Sequence, residues 1–235
     1  ETFALADGYL EGLRALIDGL TPRPPITLSN WADQYRRLPT KGAAEPGRWR
    51  TSRVPFAREI MDCLSDHPDF AHIKRVVFMK STQVAGTEIG NNWVGSVIHR
   101  LKVPMMVVQP TIELAERWSK QRLAAMIDDT PELRRLIAPA RSRDSGNTTL
   151  LKEWPGGVLI ISGANSSASL RSMPARYLFA DEVDAYPVDL DGEGDPLSLA
   201  EARTSTFAAG RKLFICSTPT IKSLSVIDKE YQLSD

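Results

Sequence analysis

A chain of 235 residues is long enough to bury the core of one large α/β domain, and its 29 basic and 29 acidic side chains cancel, so net charge gives no argument for a nucleic-acid partner. Two distant cysteines, Cys63 and Cys216, speak for buried thiols and against a disulfide framework, and three histidines without metal-site spacing speak against a structural zinc. No apolar run is long enough to cross a membrane, and acids among the apolar residues at 1–20 exclude a signal peptide.

The chain does not start with Met, which leads us to expect that the protein begins elsewhere. Tyr9, Leu13, Leu16, Ile17 and Leu20 recur at helical spacing, and Thr21-Pro22-Arg23-Pro24-Pro25 stops the run. This predicts an N-terminal helix and stiff linker over 1–28, ahead of a main domain at 29–235. That helix either packs on its own domain or docks to a partner. Ser29 is placed to cap a short helix over 30–38. A loop over 39–55 holds Gly42, Pro46, Gly47 and several cations, and a second helix is expected at 56–64. Val76, Val77 and Phe78 are consecutive and apolar, which predicts a strand over 73–79 covered on both faces. A helix at 87–99 follows, where Gly90 and Gly95 allow close approach to the sheet. Then come a strand at 103–108 and a charge-rich amphipathic helix at 111–127. Residues 130–149 read as a looser segment, whose Arg134, Arg135, Arg141 and Arg143 either follow DNA phosphates or form a solvated face. Further strands are expected at 157–162, 177–180 and 213–216. The alternation predicts the α/β class, a three-layer αβα arrangement with a mostly parallel sheet. Within the acidic stretch 181–195, Asp189, Asp191, Glu193, Gly194 and Asp195 open like a calcium loop, but Ala200 stands at the twelfth position counted from Asp189 and Pro196 lies inside, which favours a solvated loop.

Two segments carry chemistry. Tyr177-Leu178-Phe179-Ala180-Asp181-Glu182 ends an apolar run in two adjacent carboxylates. At a strand tip, an aspartate can hold Mg²⁺ through water and a neighbouring glutamate can orient an attacking water. Lys80-Ser81-Thr82-Gln83-Val84-Ala85-Gly86-Thr87 ends another apolar strand. Against the phosphate-loop pattern G-x-x-x-x-G-K-[ST] it fails on spelling, with Lys80 at the first Gly, Ala85 at the second and Gly86 at the Lys. Its amides and Thr87 hydroxyl still suit phosphate and Mg²⁺, and Lys80 has a stem long enough to reach back across the loop. The other reading is that Lys80 simply ends a strand and Gly86 makes a turn. Val107-Val108-Gln109-Pro110-Thr111, Ser162-Gly163-Ala164-Asn165 and Cys216-Ser217-Thr218-Pro219-Thr220 also fall at carboxyl ends of strands, where ligands gather in open α/β sheets.

Gly47-Arg48-Trp49-Arg50 with Pro55-Phe56, then Lys80 to Val84, Asp181-Glu182 and Ser217-Thr218-Pro219 occur in an order and spacing that resembles the large subunit of a tailed-phage DNA-packaging terminase of the lambda-like class, from Trp31 to Thr220. The resemblance implies a P-loop NTPase of the RecA/helicase-like, additional-strand type, in which the phosphate-binding lysine can stand at the start of the loop. It implies that Lys80, Gly86 and Thr87 form the Walker A set with the amides of Ser81, Thr82, Gln83, Val84 and Ala85. It further implies that Asp181 and Thr87 hold Mg²⁺, that Glu182 is the catalytic carboxylate and that Ser217 and Thr218 form the coupling motif. Trp49 and Phe56 resemble the adenine-binding segment, with Ala57 where that segment carries Gln. Arg171 and Arg203 are candidates for an arginine finger, in cis or on a neighbouring subunit, or are ordinary structural arginines. The implied activity is ATP hydrolysis that drives double-stranded DNA into a procapsid. The implied setting is the cytoplasm of an infected bacterium, with a portal protein, a small terminase subunit and a homo-oligomeric ring as partners and no membrane. The family's nuclease domain has no counterpart before Asp235, so the expectation is a fragment that hydrolyses ATP and does not cut DNA. A helicase-like remodelling ATPase and a degenerate, non-hydrolysing structural module remain the alternatives.

Overall fold

The computed structural model describes residues 8–13, 16, 24–40, 45–138 and 146–233. Residues 8–13 and 16 are helical and exposed; the rest of the expected N-terminal helix, the start of its linker, Gly42, Arg141 and Arg143 lie outside the described residues. No helix among the described residues is long and apolar enough to cross a membrane.

Six strands form the main sheet. In chain order they are β3 (Arg75–Met79), β4 (Pro104–Gln109), β5 (Leu151–Trp154), β6 (Gly157–Gly163), β7 (Tyr177–Asp181) and β8 (Lys212–Ser217), arranged β3-β8-β7-β4-β6-β5. All neighbours are parallel except the β5–β6 hairpin at one edge. Every residue of β7 and β8 is buried. That is why these segments read as unbroken apolar runs: a parallel sheet covered on both faces has no solvent side to alternate with. A separate two-stranded ribbon pairs β1 (Arg37–Leu38), where the sequence predicts the end of a helix, with β2 (Gly47–Arg48), inside the segment expected to be loop.

Helices cover both faces of the sheet. On one side lie α1 (Leu28–Tyr35), α2 (Ala57–Cys63) and α3 (Gly86–Arg100). The same side carries α4 (Ile112–Trp118), which runs through a π turn at Ser119–Leu123 into α5 (Ala124–Asp129), and the short α6 (Pro131–Arg134). On the other side lie α7 (Ser167–Leu170), α8 (Pro196–Ala202) and α9 (Val226–Gln232). The first helix is capped by Thr27, whose hydroxyl accepts the Asn30 amide, and not by Ser29. The Ser29 amide instead donates to the Asp62 carboxylate, which ties α1 to α2. Gly90 lies against the ring of Phe179 so closely that a Cβ would meet it at 2.1 Å, so this glycine lets α3 settle onto β7. Gly95 makes the same room for Trp31 of α1 and not for the sheet. At the far face Arg75 of β3 pairs with Glu201 of α8 and Glu230 of α9, pinning two helices to an edge strand.

Candidate functional site

Five parallel strands end together, and the loops leaving them build the site. Lys80 follows β3, Gln109 ends β4, Asp181 ends β7, Glu182 follows it and Ser217 ends β8. Adjacency in the sheet, not in sequence, brings them together. The Lys80 amide donates to the Ser217 carbonyl at 3.0 Å and the Glu182 amide to the Cys216 carbonyl at 2.8 Å, so both tips are fastened to β8.

The side chains then close the constellation. The Lys80 ammonium donates to Glu182 Oε1 at 2.6 Å and to the Thr218 hydroxyl at 3.4 Å. The other Glu182 oxygen accepts from the Thr218 amide at 3.3 Å and the Ser217 hydroxyl at 3.5 Å. Lys80 is only 8% exposed, and its cost of burial is offset by this charge-assisted pair. Beside it, the Thr87 hydroxyl donates to Asp181 Oδ2 at 3.1 Å, Gln109 Nε2 donates to the same oxygen at 3.2 Å, and Cys216 Sγ lies 3.1 Å from Oδ1. Burial pushes the Asp181 carboxyl above its ordinary value, against these three hydrogen bonds, which favour the ionised form. Lys80, Gln83, Glu182, Asp184, Ser217 and Thr218 line one cleft of about 450 Å³.

The loop between Lys80 and α3 shows how the odd spelling works. Gly86 stands where the usual loop has its lysine, and a Cβ there would sit 2.5 Å from both Cδ and Cε of Lys80. The Lys80 stem occupies that space, so the cation arrives from the strand and the helix start must be bare. Ala85 and Gln83 have φ of 58° and 59°, the left-handed region that favours glycine. Ala85 is thus a strained stand-in for the glycine that the usual pattern places there. The loop 81–85 leads straight into a 15-residue helix, whose start offers N–H groups to an anion. Glu182 is also left-handed, with φ of 53°, and this turns its carboxylate off the β7 line toward Lys80.

The Thr87–Asp181 pair suits Mg²⁺: a hydroxyl and a buried carboxylate whose protonation is favoured by burial are what a divalent cation would relieve. In the acidic stretch at 189–195 two carboxylates are engaged with the backbone. There the Asp189 carboxylate accepts the Gly192 and Gly194 amides, and Asp195 caps α8 through the Leu197 and Ser198 amides.

Four expected site residues fall elsewhere. Trp49 is 6% exposed, and its indole N–H donates to Thr51 Oγ1 at 3.1 Å, so it is a core residue without a free face. Phe56 is 50% exposed but does not line the cleft. Arg171 pairs with Glu193 at 2.7 Å, and Arg203 Nη1 reaches the Arg171 carbonyl at 3.5 Å. The Arg203 carbonyl accepts the Ala175 amide at the foot of β7. Six residues of extended chain separate that point from Asp181, a span of roughly 20 Å. Neither arginine is among the residues that line the cleft. Sequence reasoning gave no role to Gln109, Cys216 or Asp184. The last was legible as a third carboxylate two residues after the pair. Gln109 and Cys216 show only once the strand order is known.

The sequence model of the family described as "Phage terminase large subunit gpA, ATPase domain" matches residues 43–235. The chain is 28% identical over 206 residues to the terminase large subunit of Enterobacteria phage P21, covering 87% of this chain and 31% of that protein. It is 27% identical over 220 residues to the terminase large subunit of Escherichia phage lambda, covering 93% of this chain and 32% of that one. The chain therefore spans about a third of the length of these relatives. Its fold matches the crystal structure of the HK97 bacteriophage large terminase with a TM-score of 0.58 at 10% identity, over 82% of this chain and 38% of that one. A P-loop-type αβα sheet, a lysine set against an acid pair at the strand ends, and a family match over the same residues agree: the chain belongs to the phage terminase large subunit gpA family, as its ATPase domain.

Proposed function

We propose that residues 29–235 are an ATP-hydrolysing motor, preceded by an N-terminal helix and linker at 1–28. In this reading the motor moves double-stranded DNA into a procapsid. The observation that carries it is the 2.6 Å contact between Lys80 and Glu182 beside the Thr87–Asp181 pair, four residues from two distant segments in one place. The ATP phosphates lie along the amides of Ser81 to Ala85, and Lys80 offsets their charge. Thr87 and Asp181 are the groups that would hold Mg²⁺, which neutralises charge on the phosphate oxygens when it is bound. Once phosphate takes over the Lys80 ammonium, the Glu182 carboxylate is free to align water for in-line attack, a contribution of positioning and electrostatics. Ser217 and Thr218 touch both Glu182 and Lys80, which supports their role as the sensor of the γ-phosphate.

Of the aromatic pair, Phe56 is the one left to contact adenine, with an exposed ring outside the cleft lined by Lys80 and Glu182. Arg171 and Arg203 act, if as fingers, on the nucleotide of a neighbouring subunit in a ring, because neither lines its own cleft. A portal protein and a small terminase subunit are the proposed partners, in the cytoplasm of the infected host. The test is Glu182→Ala: ATP binding by calorimetry persists while turnover falls by about 10³-fold, in line with loss of a water-positioning group. Normal turnover by that variant would overturn the assignment.

A further inference from the structure

One residue in the cleft is not explained by holding nucleotide. Asp184 lies two residues past Glu182, in a short 3-10 turn, Val183–Ala185. Its amide donates to the Ser217 hydroxyl at 3.2 Å. Its carboxylate reaches the other way along the chain. Oδ2 accepts both the amide and the hydroxyl of Thr220, each at 2.8 Å, and Oδ1 accepts the Ile227 amide at 2.8 Å. Thr220 and Ile227 are the two ends of a compact turn, closed by the Leu224 and Ser225 amides on the Ile221 carbonyl. That turn leads into α9, whose cap is Ser225. It carries Ile221 and Leu224 exposed on its surface. One carboxylate thus clasps both ends of the turn that joins the coupling motif to the last helix.

We propose that Asp184 is a positioning residue that makes the turn at 220–227 and the start of α9 follow the nucleotide state of Glu182. This rests on the ATPase reading above and extends it past the cleft. Glu182, Ser217 and Thr218 share hydrogen bonds with Lys80, so a phosphate that captures Lys80 changes what holds Glu182. Asp184 is attached to that group through the Ser217 hydroxyl and through a two-residue link to Glu182, both too short to absorb a displacement. Its carboxylate's three bonds then transmit that displacement to Thr220 and to the Ile227 backbone. Burial alone would raise the Asp184 carboxyl, but the Ile227 amide, the Ser225 hydroxyl and Thr220 outweigh it and hold it below the ordinary range, so the clasp is anionic at neutral pH.

The experiment compares the protein with its Asp184→Asn and Thr220→Val variants. The readouts are steady-state ATP hydrolysis and hydrogen exchange of 218–230 in ADP and in a non-hydrolysable ATP analogue. In the parent protein, exchange of this segment differs between the two nucleotides by about fivefold or more. In Asp184→Asn the difference vanishes and kcat falls about tenfold, while KM for ATP stays within about twofold. Thr220→Val, which keeps the carboxylate and loses one donor, reduces the same difference and serves alone if Asp184→Asn does not fold. A parent protein that neither binds nor hydrolyses ATP would sink the ATPase reading. A parent protein that hydrolyses ATP but shows equal exchange in both nucleotides would sink this proposal alone. So would variants that keep the full difference.

Discussion

Lys80 and Lys212 are both buried lysines on the parallel sheet, at opposite ends of it. Lys80 follows β3 at the carboxyl edge and is 8% exposed; Lys212 begins β8 at the amino edge and is 4% exposed. Their surroundings divide them. Lys80 is held by a carboxylate and a hydroxyl, side chains that can exchange it for phosphate. Lys212 donates to the backbone carbonyls of Cys63, Phe70 and Ile73, at 2.9, 2.6 and 2.9 Å. Those acceptors cannot turn away, so Lys212 is a fixed plug that satisfies three carbonyls where α2 and the following loop meet the sheet. Burial of a charge does not by itself mark a site; the mobility of its partners does.

Substitution should separate the two ends. The largest effect is expected for Lys80→Ala, which removes the cation at the start of the loop and raises the ATP dissociation constant by about 100-fold or more, read by calorimetry. Lys212→Met should leave ATP affinity unchanged. It should cost about 2 kcal/mol of stability in chemical denaturation, because three buried carbonyls lose a charged donor. If Lys212→Met weakened ATP binding as Lys80→Ala does, the contrast would collapse.

A smaller effect separates them in pH. Burial lowers Lys212 to about 8 from 10.5. Between those values the unfolded chain binds a proton that the folded chain has released, so this residue makes stability rise with pH from about 8 towards about 10.5. The parent protein should show that rise relative to Lys212→Met in denaturant midpoints at pH 7.5, 9 and 10; parallel profiles would contradict it.

Around Lys80, two backbone positions sharpen the picture. Gly86→Ala drives a methyl into the Lys80 stem and should weaken ATP binding by about tenfold with little change in fold. The smallest effect is Ala85→Gly, which relieves a left-handed alanine at the cost of a more flexible unfolded chain, for a net gain of about 0.5 kcal/mol in thermal or chemical unfolding.

Much of this fold was legible because of how it is covered. Strands buried on both faces are continuous apolar runs, so β3, β4, β6, β7 and β8 announced themselves within a residue or two of their ends. Strand β5 did not: Leu151-Lys152-Glu153-Trp154 is short, lies at an edge and alternates, and only the Pro155-Gly156 turn after it gave a sign. The short helices α7, α8 and α9 bury too few residues to show a period, although Ser166, Asp195 before Pro196, and Ser225 were readable as caps. Within the site, Lys80, Thr87, Asp181, Glu182, Ser217 and Thr218 sit at ends of strands or the start of a helix, which sequence can locate. Trp49 and the two arginines could not be placed that way, because whether an indole or guanidinium faces a cleft depends on the packing of its own segment.

The space that Gly86 yields to Lys80 has a consequence for how this loop can change over generations. A lysine introduced at 86 would collide with the one at 80, and a glycine introduced at 80 would remove the ammonium that faces Glu182. Each single step is therefore worse than either end state, and only the exchange of both residues together preserves one ammonium group and one bare position. The unusual spelling therefore binds two positions into one choice, a lysine at 80 with a bare backbone at 86.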